Sequence, residues 1–111
     1  MTASRVDLFK QTLESDPENT TVLFGLANEY QKSERYDEVV ATIKEYLQRS
    51  DDEGAAYGML ARAYEKIGDR AAARAAYERG ISVAEAHHHP SMADDYRMTI
   101  EADYADGGEA V

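Results

Sequence analysis

Three consecutive histidines, His87, His88 and His89, are the residues whose type most directly offers chemistry, because imidazole nitrogens bind zinc, nickel and copper. Adjacent residues on a helix point about 100° apart, so three in a row chelate an ion poorly unless the segment is extended. The chain has no cysteine, and no carboxylate at a suitable spacing completes a tetrahedral ligand set. We therefore expect no bound metal and no cofactor, and keep a metal-responsive protein only as a third hypothesis.

The sequence offers less evidence for a catalytic site than the histidine run offers for a metal site. The 22 acidic residues fall mainly at the ends and on the solvent faces of the expected helices, where no apolar pocket would raise a carboxyl pKa. Serine, histidine and aspartate occur, but outside the context of a nucleophile elbow or a phosphate-binding loop. We expect a protein that is not an enzyme.

The charge balance restricts the class of partner. The 111 residues include 22 acidic and 12 basic side chains, for a net charge of −10. This balance argues against nucleic acid or an anionic membrane as a partner, since phosphate-binding proteins present basic surfaces. Residues 54–84 nevertheless carry a net charge of +2, between segments 1–53 and 85–111 that each carry −6. A basic segment between two acidic ones favours an acidic partner for the middle of the chain.

No segment of the sequence predicts export or membrane insertion. The first ten residues contain no long apolar run after their charges, and no stretch approaches the length of a transmembrane helix. The absence of cysteine suits a reducing compartment. We expect a cytoplasmic protein.

Apolar residues at helical spacing recur every 34 residues along the chain. The first set is Leu23, Leu26, Ala27, Tyr30, Val39, Ile43 and Leu47, and the second is Tyr57, Leu60, Ala61, Tyr64, Ala73, Tyr77 and Ile81. Internal repetition at this period is typical of a stacked helical solenoid rather than of a single globular core.

The repeated residues follow the pattern W-x2-L-G-x2-Y, then A-x3-F, then P, so the chain resembles the tetratricopeptide repeat family over roughly residues 5–104. No tryptophan opens either repeat, alanine replaces the small glycine at Ala27 and Ala61, and Asp51 and Glu85 stand where the closing proline is usual. The resemblance implies an all-α fold of antiparallel helical hairpins, stacked as a short right-handed solenoid of about six helices.

Capping residues and turns give the expected boundaries. Ser4, Asn19 or Thr20, and Ser91 suit helix starts, and Gly68 suits a left-handed helix end. We expect one domain over residues 1–104, with an N-terminal capping helix (3–17), repeats at 20–53 and 54–87, a C-terminal capping helix (91–104) and a disordered tail (105–111).

The resemblance implies a peptide-binding groove lined mainly by the first helix of each repeat. Arg62 and Lys66 would orient an acidic segment, unless both are merely solvated and paired with acids one turn away. The face opposite the packing residues also includes Ala55, Gly58 and Thr99. The candidate groove residues are Phe24, Asn28, Gln31, Arg62, Lys66, Met92 and Tyr96.

Part of the family grips a C-terminal carboxylate with lysine, asparagine and arginine. Carried over to this sequence, those positions are Phe24, Asn28, Met59, His89 and Ala93, of which only Asn28 matches. We therefore do not expect the tail of a heat-shock chaperone as the ligand.

The sequence thus predicts an adaptor or scaffold that binds a protein or peptide, and the charge pattern favours an acidic one. The alternative is a self-associating structural module without a separate ligand. In that case a homodimer would form through exposed apolar residues at the flanks, namely Val6, Leu8, Ile100 and Tyr104.

Overall fold

The computed structural model of the protein describes residues 4–104. These residues form six α-helices and no strand, namely α1 (Arg5–Ser15), α2 (Thr20–Lys32), α3 (Tyr36–Arg49), α4 (Ala55–Ile67), α5 (Arg70–Ala86) and α6 (Pro90–Tyr104). The predicted all-α class is confirmed. The fold divides between Asp51 and Asp52 into two compact units, α1–α3 and α4–α6.

Two expectations from the sequence stay predictions. The first is a single domain stacked as a right-handed solenoid, which depends on how the two units are arranged. The disordered tail at 105–111 lies outside the described residues.

Helix α1 covers one side of α2 without burying any residue of its own. The Ser4 hydroxyl caps it by accepting a hydrogen bond from the amide of Asp7 at 3.1 Å. The half-buried ring of Phe9 packs against Gly25, with ring atoms 3.3 Å from the place where a Cβ of Gly25 would stand. Arg5 donates a hydrogen bond to Glu29 at 3.0 Å. Helix α1 is therefore held by one aromatic contact and one ion pair.

Helices α2 and α3 form a hairpin around the predicted apolar residues. Asn19 caps α2 by accepting a hydrogen bond from the amide of Val22 at 3.1 Å. In the turn, the Arg35 guanidinium lies 4.7 Å from the centre of the Tyr30 ring and pairs with both carboxylate oxygens of Glu38. The buried apolar residues of this hairpin are Leu23, Leu26, Ala27, Tyr30, Val39 and Ile43.

Helices α4 and α5 form the second hairpin, with the predicted glycine at the turn. Gly68 is left-handed with φ of 95°, and the amides of Gly68 and Asp69 both donate to the carbonyl of Tyr64 at 3.0 Å. The Asp69 side chain then caps α5 by accepting from the amide of Ala72 at 3.1 Å. Small residues such as Ala61 and Ala73, both fully buried, allow the two helices to approach closely.

Helix α6 packs against α5. It begins at Pro90, one residue before the expected Ser91, and proline suits this position because the first turn of a helix does not use its amide. Its last carbonyls are capped by arginines of α5: Arg70 donates to the carbonyl of Asp103 at 2.7 Å, and Arg74 donates to that of Tyr104 at 3.4 Å. The Arg70 guanidinium also lies 4.5 Å from the centre of the Tyr104 ring. Positive side chains at a helix C-terminus favour both the dipole and the free carbonyls.

Candidate interaction site

A surface cleft in the second unit lies between α4 and α6 and has a volume of about 440 Å³. Three of the candidate groove residues, Arg62, Met92 and Tyr96, line it together. We call it the α4–α6 cleft and define it by its full lining, which is Ala55, Arg62, Tyr77, Met92, Asp95, Tyr96 and Thr99. The structure therefore brings together those residues of the predicted groove that lie on α4 and α6, with the exception of Lys66.

The floor of the cleft is apolar and aromatic. Tyr77 and Tyr96 are 4% and 8% exposed, and their ring centres are 5.7 Å apart at an interplanar angle of 49°. Met92 is half-buried at the edge of this floor. Burial, with the charge of Glu65 nearby, raises the pKa of Tyr77 to about 12.

The hydroxyl of Tyr96 is already used within the chain. It accepts a hydrogen bond from the amide of Gly58 at 3.1 Å and donates one to the carbonyl of Gly54 at 2.8 Å. Burial raises the pKa of this phenol, which keeps it neutral and able to make both bonds. Tyr96 is thus a structural anchor of α6, and its direct contact with a ligand stays a prediction.

The two walls of the cleft carry opposite charges. Arg62 of α4 is exposed, and a terminal nitrogen of its guanidinium lies 3.2 Å from the place where a Cβ of Gly58 would stand. Asp95 of α6 is exposed on the other wall. Neither side chain forms an ion pair with any other residue in the range 4–104, nor does Lys66, which lies one turn after Arg62. The sequence-based alternative, in which Arg62 and Lys66 are merely solvated and paired with acids one turn away, holds only in part: both side chains are exposed, but the pairing is absent among the described residues.

The remaining candidates, Phe24, Asn28 and Gln31, lie on α2 in the first unit and are half-buried. The ring of Phe24 packs against that of Tyr46, with centres 5.2 Å apart. A continuous groove that includes these three residues stays a prediction.

The sequence analysis missed the roles of two glycines. Gly58 and Gly80 both lie against the ring of Tyr96. A signal for them does exist in the sequence, because the residues 34 positions earlier are the aromatic pair Phe24 and Tyr46. Two aromatic positions that both become glycine in the next repeat indicate space for a side chain from elsewhere.

The histidine run has a carboxylate partner. In the turn between α5 and α6, Nε2 of His89 lies 2.6 Å from Glu53, and Nδ1 of His87 lies 3.9 Å from the same carboxylate. The hydrogen bond with His89 lowers the pKa of Glu53. Among residues 4–104, no group of three or more histidine, cysteine or acidic side chains is arranged to hold a metal ion. The described residues give the metal hypothesis no support.

No helix within residues 4–104 has both the length and the apolar character that crossing a bilayer requires.

Comparison with known proteins identifies one segment. Residues 54–87, which include α4, α5 and the turn between them, match the family model of a tetratricopeptide repeat. No curated protein matches the chain. The resemblance predicted from the sequence is confirmed over these residues. The matched repeat contributes Ala55, Arg62 and Tyr77 to the α4–α6 cleft, and α6 contributes the other lining residues.

Proposed function

We propose that this chain, whose residues 54–87 are a tetratricopeptide repeat, is a protein-interaction module that binds an acidic peptide segment in the α4–α6 cleft. Tetratricopeptide repeats serve generally in protein–protein interaction, and the first helix of each repeat commonly lines the binding groove.

The observation that carries the proposal is the position of Arg62 beside an apolar floor. Its guanidinium is exposed, forms no ion pair with the described residues and lies next to Gly58, where it borders the contact surface of Met92 and Tyr96. A carboxylate of a ligand would meet an arginine without first displacing an internal partner. Lys66, four residues further along α4, extends the positive wall by one turn.

The side chains that line the cleft indicate which ligand it would prefer. An apolar side chain would lie on Met92, and a neighbouring glutamate or aspartate would reach Arg62 and Lys66. Asp95 and Thr99 on α6 add a second, acidic and polar wall, which disfavours a uniformly acidic ligand at that side. The expected ligand is therefore a segment with an apolar residue and acidic residues on one side of it.

Self-association through the flanks has less support in the structure. Of the four residues expected to form the contact, Tyr104 is 3% exposed and Val6 and Ile100 are half-buried. Leu8 is 49% exposed, but a single exposed leucine is normal on a protein surface. The exposed large apolar residues among the described part of the chain, Leu8, Ile67 and Met98, lie on three different helices.

Fluorescence anisotropy with labelled peptides tests the proposal. The probes are a hexapeptide with one phenylalanine followed by two glutamates and the same peptide with two lysines. We expect the acidic peptide to bind and the basic peptide not to bind. The Arg62→Glu/Lys66→Glu variant should lose at least about tenfold in affinity, since removing charge-assisted contacts costs this much or more.

A matched variant controls for net charge. Arg79→Glu/Lys10→Glu makes the same charge change at exposed residues of α5 and α1 that do not line the cleft. Retained binding in this variant, with loss in the cleft variant and unchanged circular dichroism in both, supports the proposal. Equal loss in both variants would show a general charge effect, and retained binding in both would overturn the assigned site.

A further inference from the structure

Two glycines, one on each helix of the second hairpin, enclose the ring of Tyr96 from α6. A Cβ at Gly58 would stand 2.7 Å from the Tyr96 hydroxyl oxygen and 3.0 Å from a ring carbon. A Cβ at Gly80 would stand 2.7 Å and 3.0 Å from two other ring carbons. At both glycines the distance from the added Cβ to the nearest Tyr96 atom is shorter than a van der Waals contact. Any larger residue at either position would therefore displace the tyrosine. We call Gly58, Gly80 and the carbonyl of Gly54 the glycine socket.

The glycine socket recognises the hydroxyl as well as the ring. The amide of Gly58 and the carbonyl of Gly54 are four residues apart and belong to the first turn of α4. The Tyr96 hydroxyl bonds to both, at 3.1 Å and 2.8 Å. A phenylalanine would fill the same volume but leave these groups without that partner, so the socket favours tyrosine.

The first hairpin has no equivalent socket, although it shares the repeat. The residues 34 positions before Gly58 and Gly80 are Phe24 and Tyr46, and their own rings are in contact at 5.2 Å. In the first hairpin the two helices therefore fill these positions with side chains of their own. The second hairpin has glycine at both positions, and the space between its helices is filled by the Tyr96 ring of α6.

Helix α6 is joined to this hairpin by a strained turn. His88 has φ of 64°, a left-handed conformation that costs a non-glycine residue free energy and persists only when its surroundings hold it. Beyond the turn, the buried residues of α6 are Ala93, Tyr96 and Tyr104. Tyr96 is the buried residue near the middle of the helix, and its ring and hydroxyl both contact the α4–α5 hairpin.

We propose that α6 is a docking helix that seats Tyr96 in the glycine socket and detaches from it without unfolding of the α4–α5 hairpin. Docking assembles the α4–α6 cleft, because Met92, Asp95 and Thr99 reach the cleft only when α6 is in place. Ligand binding and α6 docking are then coupled, so each stabilises the other. This last step rests on the proposed function of the cleft, whereas the docking of α6 does not.

Native-state hydrogen exchange of the full chain, followed for each helix, tests the docking. We expect the amides of α6 to exchange through an opening that leaves α4 and α5 protected. Gly80→Ala should accelerate this exchange about tenfold or more, because the new methyl group would stand 2.7 Å from the Tyr96 ring. It would also stand 3.0 Å from Cβ of Tyr57 on α4, so the exchange of α4 and α5 is compared in the same variant. Exchange of α4, α5 and α6 at one common rate set by global unfolding would overturn the proposal.

Two further variants keep the test decisive. Gly25→Ala makes the same change inside α2, where the nearest atoms belong to the ring of Phe9, and should leave α6 exchange unchanged. Tyr96→Phe retains the ring and removes the hydroxyl, and should accelerate α6 exchange several-fold even if Gly80→Ala fails to fold. Unchanged α6 exchange in Tyr96→Phe would show that the socket does not hold the helix.

The labelled acidic peptide separates the two proposals. If it binds, the coupling predicts slower exchange in α6, in proportion to the bound fraction. Binding without any change in α6 exchange would overturn the coupling. Absence of binding together with independent opening of α6 would overturn the proposed function and leave the docking helix intact.

Discussion

The carboxylate of Glu53 lies 2.6 Å from Nε2 of His89, so the residue just before Gly54 is tied to the residue just before α6. Gly54 in turn supplies the carbonyl that accepts the Tyr96 hydroxyl. The contact between Glu53 and His89 therefore links the start of α4 to the start of α6, and the glycine socket joins the same two helices. Glu53 is exposed and His89 only half-buried, and this access of water limits the strength of the contact.

The Glu53–His89 contact predicts a pH dependence of stability. The hydrogen bond from His89 lowers the pKa of Glu53 in the folded protein, so the unfolded chain binds more protons in the acidic range. The contribution of Glu53 to the free energy of unfolding is complete above the glutamate pKa of the unfolded chain, about 4.3. It is lost as the pH falls through the lower pKa that Glu53 has in the folded protein. Glu53→Gln should lower the Tm slightly at pH 6 and hardly at all at pH 3.

Thermal unfolding followed by circular dichroism at both pH values measures this effect. Glu18→Gln serves as the control, because Glu18 is exposed and has no ion pair among the described residues. A Tm difference for Glu53→Gln that is equal at pH 3 and pH 6 would contradict the assignment.

Tyr77 predicts a loss of stability in alkali. Burial is the main cause that raises its pKa to about 12, well above the value of about 10 for a free phenol. Between these two values the unfolded chain releases a proton that the folded chain keeps, so stability is complete below about pH 10 and falls as the pH rises toward 12. Tyr77→Phe should flatten this fall.

Absorbance at 295 nm, which reports tyrosinate, provides the direct measurement. In the folded protein, the late part of the titration should diminish in Tyr77→Phe. A titration of the Tyr77 variant identical to that of the wild type would contradict this prediction.

The sequence predicted the helices well because their signals are local. Ser4 and Asn19 cap α1 and α2 as expected, since an N-cap side chain bonds an amide only three residues away. Gly68 ends α4 in the left-handed conformation for an equally local reason. The repeat pattern identified the buried faces, for which Leu60, Ala61 and Tyr77 are examples.

The candidate site was predicted only in part because its shape depends on contacts between residues far apart in sequence. The helical face of Tyr96 predicts a side chain that is available to a ligand, but its hydroxyl bonds to Gly54 and Gly58, about forty residues away. Glycine lowers helix propensity at Gly58 and Gly80, and the Tyr96 ring between them explains both residues. Asp95 lines the same cleft as Arg62 because α6 packs beside α4 and α5.

Arg70 predicts how strongly the end of α6 is held. Its guanidinium donates to the carbonyl of Asp103 at 2.7 Å and stacks on the Tyr104 ring at 4.5 Å. Arg70→Ala should lower the free energy of unfolding by about 1 kcal/mol, as expected for one such hydrogen bond with a surface cation–π contact. Arg79→Ala on the same helix, where Arg79 has no ion pair among the described residues, should cost much less. Urea denaturation compares the two variants, and equal losses would show that Arg70 does not hold α6.

Gly68 gives the cleanest test of a backbone requirement. Its φ of 95° is strained for a residue with a Cβ, yet no atom lies within 4 Å of the place where that Cβ would stand. Gly68→Ala should therefore lower the free energy of unfolding by about 1–2 kcal/mol through backbone strain alone. Gly68→Asn should lose less, since asparagine tolerates the left-handed region better than alanine despite its larger side chain. If steric conflict were the cause, asparagine would be the more damaging substitution, and urea denaturation of the two variants distinguishes these orders.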